Sequence, residues 1–111
     1  MTHTYKTAVF IETAHFTHWI STYLNDKEYC ELQYYLMEHP EAGNIIPGGN
    51  GVRKIRWGRQ GSGKSGGYRI IYYWAKARDQ IYMLTAYSKT EHENIDAKTL
   101  AQIAKQLGEI K

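Results

Sequence analysis

The residues best suited to chemistry in this chain are cationic side chains that alternate with apolar ones. Lys54 and Arg56 flank Ile55 in one short segment, and Arg69 precedes Ile70 in another. Side chains alternate between the two faces of a strand, so Lys54 and Arg56 are expected to share a face. Cations held on one surface can bind phosphate oxygens, and an Arg side chain can bind two of them at once. The pattern predicts an anion-binding surface.

Charge is distributed unevenly along the sequence. Residues 1–51 have a net charge of −4, residues 52–78 carry eight basic and no acidic side chains, and residues 79–111 have a net charge of −1. Such a block of like charges repels itself, so a polyanionic partner is the natural explanation, with nucleic acid as the leading candidate. The alternative is a solvated basic surface without a partner. The eight cations are Arg53, Lys54, Arg56, Arg59, Lys64, Arg69, Lys76 and Arg78.

A second pattern in this region matches a nucleotide-binding loop. Gly58, Gly63, Lys64 and Ser65 fit the P-loop motif G-x-x-x-x-G-K-[ST]. A P-loop must open directly into a helix, whose first N–H groups hold the phosphates. Two glycines and a run of aromatic and β-branched residues follow Ser65, and that run predicts a strand. We therefore interpret the match as accidental and expect no nucleotide to bind there.

Length and composition indicate one compact domain that spans residues 1–111. The chain is 42% hydrophobic, and none of its apolar runs approaches the roughly 18 residues of a membrane span. The N-terminal apolar run is too short for a signal peptide, so a cytoplasmic location is expected. Cys30 is the single cysteine, which excludes a disulfide framework and is typical of a small packed residue.

The pattern of apolar and turn residues predicts an α+β fold with the element order β-α-α-β-β-β-α. Thr13 is expected to cap the first helix, and Asn25 with Glu28 the second, which should end near Pro40 and Gly43. The two helices form a hairpin that covers one face of an antiparallel-rich sheet. The predicted elements are strands over residues 7–12, 52–57, 68–75 and 80–87, helices over residues 13–24 and 25–40, and a closing helix from about residue 94 or 96 to residue 107.

Strict alternation along the strand of residues 80–87 would place Ile81, Met83, Thr85 and Tyr87 on one face. One face of the sheet must cover the helical hairpin. The opposite face can gather a cationic patch with a phenol in it, made of Lys54, Arg56, Arg69, Tyr87 and Lys89.

Taken together, these segments resemble the RelE superfamily of bacterial toxins, and in particular its HigB-like branch. The resemblance follows the order of elements over nearly the whole chain, and its motifs lie between residues 48 and 91. Those motifs are Arg53-Lys54-Ile55-Arg56, a glycine-rich loop, Gly67-Tyr68-Arg69-Ile70-Ile71-Tyr72-Tyr73, and Leu84-Thr85-Ala86-Tyr87-Ser88-Lys89-Thr90-Glu91.

The resemblance implies a RelE/barnase-like fold and the toxin of a toxin-antitoxin system. Such a toxin is a ribosome-dependent endoribonuclease, or mRNA interferase, that cleaves mRNA in the ribosomal A site without a metal or another cofactor. The mRNA 2′-hydroxyl attacks the adjacent phosphate, and translation stops. The expected partners are the ribosome, the mRNA and a cognate antitoxin, which we expect to be a small helix-turn-helix DNA-binding protein.

The matching positions suggest roles for individual residues. Arg69 is assigned to the scissile phosphate, where a fixed cation stabilises the charge that develops during cleavage. Repulsion from Arg56 and Arg69 would ease deprotonation of Lys54, a candidate general base, while Arg56 positions the phosphate electrostatically. Lys89 and Glu91 are candidates for a second proton transfer.

The sequence departs from the RelE pattern at Thr90 and Asp96, where an arginine and a tyrosine are expected. Tyr87 could supply the stacking phenol instead, and His92 could act as the acid. A solvated loop histidine and a packed tyrosine are the alternatives. Residues expected to contact RNA outside the catalytic set are Arg53, Arg59, Lys64, Tyr68, Tyr73 and His92.

Two other classes of function would use the same region of the chain. A noncatalytic RNA-binding module would use the basic strands of residues 52–74 for backbone contacts and stacking. A P-loop nucleotide switch would be stabilised by nucleotide, and no such stabilisation is expected. His15 and His18, at positions i and i+3, could share a metal ion, but no Cys, Asp or third His joins them at ligand spacing, which favours a pair of surface histidines. The sequence therefore favours the toxin, with RNA binding without cleavage as the alternative.

Overall fold

The structure is a computed structural model, and it describes residues 9–58 and 67–88. Two helices pack on a five-stranded mixed sheet, which confirms the predicted α+β class. The order of a first strand, two helices and then further strands is confirmed as well. The predicted closing helix lies outside the described residues. The elements are β1 (Val9–Glu12), α1 (Ala14–Tyr23), α2 (Asp26–Glu38), β2 (Asn44–Ile45), β3 (Arg53–Trp57), β4 (Tyr68–Ala75), a 3-10 turn (Lys76–Arg78) and β5 (Gln80–Ser88).

Both helices begin at the residues that the sequence predicts. The Thr13 hydroxyl accepts a hydrogen bond from the Phe16 N–H at 3.0 Å and caps α1. Asn25 and Glu28 form a reciprocal capping box at α2, with side-chain to backbone distances of 2.8 and 3.0 Å. α2 ends at Glu38, two residues before Pro40. Local capping chemistry therefore determines where both helices start.

The strands are ordered β1-β5-β4-β3-β2 across the sheet. The central pairs β3–β4 and β4–β5 are antiparallel, as predicted, and the 3-10 turn with Asp79 in a left-handed conformation connects β4 to β5. β1 pairs with β5 in parallel. The two-residue strand β2, which pairs with β3, was not predicted. Two residues carry too little periodicity to reveal a strand in the sequence.

The main core lies between the helices and one face of the sheet. The helices contribute Phe16, Ile20, Leu32 and Leu36 to it, and all four side chains are buried. The sheet contributes buried side chains from its three central strands, namely Ile55, Ile70, Tyr72, Ile81, Met83 and Ala86. This face is called the helix-covered face below.

The opposite face carries a second cluster of buried apolar side chains, which the sequence did not predict. We call this the open face, because α1 and α2 pack on the other one. Its apolar cluster consists of Val52, Ile71, Ala75, Tyr82, Leu84 and Tyr87. The predicted cationic residues on this face lie beside that cluster, at the ends of β3 and β4 where the glycine-rich loop connects them.

β5 contains an irregularity that breaks the predicted alternation. Tyr72 pairs with Met83, but Ile71 pairs with Thr85, so Leu84 is an extra residue in β5. Such a bulge shifts all later side chains to the other face. The prediction that Tyr87 shares a face with Ile81 and Met83 is therefore wrong.

Two further predictions concern membrane-spanning segments and Cys30. In the part of the chain that the structure describes, no helix has both the length and the apolar character needed to cross a membrane. Cys30 is exposed on α2, so the expectation of a packed cysteine is wrong. The apolar face of α2 is instead formed by Leu32 and Leu36, which lie two and six positions further along the helix.

Candidate functional site

The candidate site is a row of polar side chains that crosses the three central strands of the open face. Arg56 of β3 lies directly opposite Arg69 of β4, and Arg69 lies directly opposite Tyr87 of β5. Side chains paired in this way have Cβ atoms roughly 5 Å apart. We call these three residues the Arg56–Arg69–Tyr87 row. The structure therefore brings together residues that are separated by up to 31 positions in the sequence.

Arg69 occupies the centre of the row. Its side chain is half-buried, and one of its terminal guanidinium nitrogens, Nη1, is buried without a hydrogen-bond partner among the residues that the structure describes. A buried donor without a partner is costly, and more so on a charged group. The position opposite Arg56 adds like-charge repulsion. An anion bound at this point would satisfy the free nitrogen and relieve the repulsion.

Lys54 and Arg56 lie on the same face of β3, as the alternation of the sequence predicts. Ile55 and Trp57 pack against the main core, so the side chains between them emerge on the open face. Lys54 is half-buried and pairs with Ile71, whereas Arg56 is exposed. Lys54 therefore lies two residue pairs before the Arg56–Arg69–Tyr87 row in β3.

Tyr87 completes the row on β5, and it is only 4% exposed. Burial raises the pKa of its phenol above the ordinary value, and the nearby Arg69 partly offsets this rise. The phenol is therefore neutral at physiological pH and remains a hydrogen-bond donor. A ring that is so deeply buried offers little surface for a stacked base, so the hydroxyl is the part of Tyr87 suited to chemistry.

The electrostatics of the row are those of a site for an anion. Among residues 9–58 and 67–88, the ion pair that the structure contains joins His39 to Glu38. No described carboxylate therefore neutralises the cations of the row. Within the same ranges, no group of three acidic, His or Cys side chains is arranged to hold a metal ion. The charges favour a bound phosphate over a bound cation.

Three of the residues predicted to contact RNA do not join the row. Arg53 lies on the helix-covered side of β3, where its guanidinium donates to the carbonyls of Glu41 and Gly43 at 3.1 and 2.8 Å. Tyr68 packs on Tyr23, with their ring centroids 4.8 Å apart. Tyr73 does lie on the open face, where its ring neighbours that of Tyr82 at 6.3 Å.

The remaining predicted residues lie outside the described ranges. They are Arg59, Lys64, Lys89, Glu91 and His92. The P-loop match is likewise only partly described, but β4 begins at Tyr68, three positions after Ser65. A strand thus stands where a nucleotide-binding loop requires a helix.

The sequence analysis missed the feature that aligns Tyr87 with Arg69. The bulge at Leu84 turns Tyr87 toward the open face, and the Thr13 hydroxyl donates to the Leu84 carbonyl at 2.7 Å. The segment around Leu84 contains no glycine, so the sequence carries no usual signal of a bulge. The sequence indicated Thr13 as a helix cap but did not indicate its hydrogen bond to β5.

Comparison with known proteins identifies the family of this chain. The sequence model of the RelE toxin of the RelE/RelB toxin-antitoxin system matches residues 6–110. Among solved structures, the E. coli RelBE toxin-antitoxin complex is 16% identical with a TM-score of 0.53, covering 73% of this chain and 95% of that chain. An arginine double mutant of E. coli RelE in the free state is 17% identical with a TM-score of 0.54, covering 87% of this chain and 96% of that chain.

A structure of the isolated E. coli RelE toxin is 14% identical with a TM-score of 0.50, and the match covers 91% of this chain and 99% of that chain. At these identities the structural matches establish a shared fold. The sequence model spans nearly the whole chain, including all three strands that carry the row. The protein therefore belongs to the RelE toxin family.

Proposed function

We propose that this protein is a toxin that cleaves mRNA in the A site of a translating ribosome and so inhibits translation. The observation that carries the proposal is the unpaired buried nitrogen of Arg69 at the centre of a row of aligned polar groups. Membership of the RelE family supports the same class of reaction. We also propose that the protein acts in the cytoplasm, since ribosomes are its site of action.

In the proposed reaction the RNA 2′-hydroxyl attacks the adjacent phosphorus atom. The new O–P bond forms as the P–O5′ bond breaks, which leaves a 2′,3′-cyclic phosphate and a free 5′-hydroxyl. One proton leaves the 2′-hydroxyl and one reaches the departing 5′-oxygen. The phosphorane that forms in between carries extra negative charge. Arg69 would stabilise that charge, because its guanidinium is half-buried and has no carboxylate partner among the described residues.

We assign the two proton transfers to groups beside Arg69. Lys54 is the candidate base, since it shares the open face of β3 with Arg56, whose exposed guanidinium would position the RNA backbone. Tyr87 is the candidate acid within the described residues, because its phenol is neutral and lies opposite Arg69. Lys89, Glu91 and His92 remain proposed participants from the sequence, as do Arg59 and Lys64 for RNA binding.

Two finer assignments belong to the same proposal. The motifs of β3, β4 and β5 support a place in the HigB-like branch of the family. A cognate antitoxin is expected as the partner, because a solved relative is a toxin-antitoxin complex. We expect this antitoxin to be a small helix-turn-helix protein.

The test compares induction of the wild-type chain with Arg69→Ala and Arg78→Ala in growing cells. Arg78 is exposed in the 3-10 turn, so its replacement removes the same charge without touching the row. We expect rapid growth arrest and translation-dependent mRNA cleavage with the wild type and with Arg78→Ala. Arg69→Ala should lose on the order of 10²- to 10³-fold in cleavage, as expected for loss of a transition-state charge contact.

Primer extension with and without a translation inhibitor locates the cleavage sites and shows whether ribosomes are needed. Equal cleavage by folded Arg69→Ala and the wild type would contradict the assignment of Arg69. A wild type that binds RNA with a steep salt dependence but leaves it intact would instead identify a noncatalytic RNA-binding module.

A further inference from the structure

Thr13 donates two hydrogen bonds to the backbone of β5 at the Leu84 bulge. The Thr13 backbone N–H donates to the Met83 carbonyl at 3.1 Å, and the Thr13 hydroxyl donates to the Leu84 carbonyl at 2.7 Å. The same hydroxyl oxygen accepts from the Phe16 N–H at 3.0 Å. Thr13 thus links the start of α1 to the irregular point of β5.

Leu84 needs such a partner because it has no residue opposite it in β4. The register passes from the Tyr72–Met83 pair directly to the Ile71–Thr85 pair. On the other side of β5, the parallel pairing with β1 ends at Glu12 opposite Met83. A bulge leaves its extra residue outside the ladder, and a buried carbonyl without a donor is costly. The Thr13 hydroxyl supplies a donor to the partly buried Leu84 carbonyl.

The bulge also determines on which face of the sheet Tyr87 lies. Met83 packs in the main core and Tyr82 and Leu84 in the cluster of the open face. With regular alternation from Leu84 onward, Ala86 would share the open face and Tyr87 would turn toward the helices. In the structure Ala86 lies in the main core and Tyr87 on the open face, opposite Arg69. The extra residue therefore completes the Arg56–Arg69–Tyr87 row.

We infer that Thr13 is a positioning residue for RNA cleavage, which holds the Leu84 bulge and thereby keeps Tyr87 aligned with Arg69. The inference rests on the proposed function for its catalytic consequence. The structural part, that the Thr13 hydroxyl maintains the register of Tyr87, stands independently of it. Thr13 acts through Leu84, three positions before Tyr87 in β5.

The test separates the two roles of the Thr13 hydroxyl. Thr13→Asp keeps an acceptor for the Phe16 N–H, since Asp is a good N-cap, but an ionised Asp cannot donate to the Leu84 carbonyl. Thr13→Ser keeps both bonds. Thr17→Ala is the control, because Thr17 bonds to Glu12 and to the Thr13 carbonyl in the same helix without reaching β5.

Cross-strand contacts between Arg69 and Tyr87 and the titration of the Tyr87 phenol are measured by NMR, and kcat and KM for cleavage on ribosomes are measured in parallel. We expect Thr13→Ser and Thr17→Ala to match the wild type. Thr13→Asp should keep its helices, lose the Arg69–Tyr87 contacts, and show a Tyr87 pKa closer to the ordinary value. Its kcat should fall on the order of 10- to 100-fold, as for a small misplacement of a reacting group, with KM little changed.

A folded Thr13→Asp variant with unchanged contacts and titration of Tyr87 would overturn the inference. The exchange of the Thr13 hydroxyl proton with solvent can also be measured in the wild type. Exchange as fast as that of an exposed threonine would likewise overturn the inference. A wild type without nuclease activity would overturn the proposed function alone, because the register of Tyr87 is measured without RNA.

Discussion

At the scale of single residues, Arg69 and Tyr87 show how the surroundings of a side chain determine what it can do. Arg69 has a buried donor nitrogen without a partner and an arginine directly opposite. Both features cost stability, and both are relieved by a bound phosphate. Tyr87 is buried beside it and keeps its proton. We therefore propose charge stabilisation as the role of Arg69, and donation of a hydrogen bond or a proton as the role of Tyr87.

The phenol of Tyr87 can be tested by removing the hydroxyl and keeping the ring. We expect Tyr87→Phe to lower kcat roughly 10²-fold with little change in KM, as for loss of a general acid. The raised pKa also means that Tyr87 holds its proton below pH 10, so cleavage should show no descending limb between pH 7 and 9 that depends on Tyr87. Single-turnover rates across this range provide the measurement. Wild-type rates from Tyr87→Phe would remove the phenol from the mechanism.

At the scale of elements, the connection from α2 to β3 is held by the hydroxyl of Tyr72. It accepts from the Gly43 N–H at 2.8 Å and donates to the Pro40 carbonyl at 2.9 Å. A Cβ atom added at Gly43 would lie 2.8 Å from the Tyr72 ring, so glycine is needed for this approach. Arg53 adds a bond to the Gly43 carbonyl. These contacts fix where β3 starts and hence where Lys54 and Arg56 lie.

Replacement of this hydroxyl should cost stability without removing a group of the site. We expect Tyr72→Phe to lower the free energy of unfolding by about 1–3 kcal/mol, because the buried Gly43 N–H loses its acceptor. Tyr34→Phe is the matched control, since Tyr34 is 64% exposed and should be neutral. Urea unfolding at pH 7 provides the comparison. An unchanged free energy of unfolding in Tyr72→Phe would show that water or a local shift replaces the lost acceptor.

The elements also show how far the sequence can predict this protein. Thr13, Asn25 and Glu28 revealed both helix starts, because capping depends on neighbours in the chain. The alternation around Ile55 and Ile70 placed Lys54, Arg56 and Arg69 on one face. The bulge and the strand β2 depend on pairing between distant segments, and no local pattern encodes them. The sequence analysis also placed Tyr87 on that face. It assumed regular alternation from Ile81 to Tyr87, however, and the bulge at Leu84 breaks that alternation.

At the scale of the whole molecule, acidic and basic residues lie in different parts of the fold. Residues 1–51, with a net charge of −4, supply both helices, whereas residues 52–78, with eight basic residues, supply β3 and β4. The open face carries Lys54, Arg56 and Arg69, whereas the acidic side chains of the helices all belong to α2 on the other side of the sheet. Such a distribution orients a polyanion toward one side of the protein and speeds its association at low salt.

Three tyrosines whose pKa values are raised predict how stability responds to alkaline pH. Burial raises the pKa of Tyr29, Tyr72 and Tyr87 above the ordinary value of 10, and the bond to Glu12 raises that of Tyr29 further. The folded state therefore holds these protons more tightly than the unfolded state does, so their contribution is fully present below pH 10 and is lost as the pH rises above it.

We expect the free energy of unfolding to be nearly level from pH 8 to pH 9.5 with respect to these groups and to fall above pH 10. Tyr29→Phe and Tyr72→Phe should each reduce the slope of that fall, while Tyr34→Phe should leave it unchanged. Denaturant unfolding at a series of pH values measures the slope. Identical alkaline slopes in all three variants and the wild type would mean that other groups control it.

The most direct test of the central claim uses purified toxin, ribosomes and a defined mRNA whose cut ends are analysed chemically. The account predicts cleavage of mRNA on the ribosome with 2′,3′-cyclic phosphate and 5′-hydroxyl ends, little cleavage of the same RNA alone, and loss of cleavage in Arg69→Ala but not in Arg78→Ala. Intact mRNA on ribosomes saturated with folded wild-type toxin, or equal cleavage by Arg69→Ala, would contradict it.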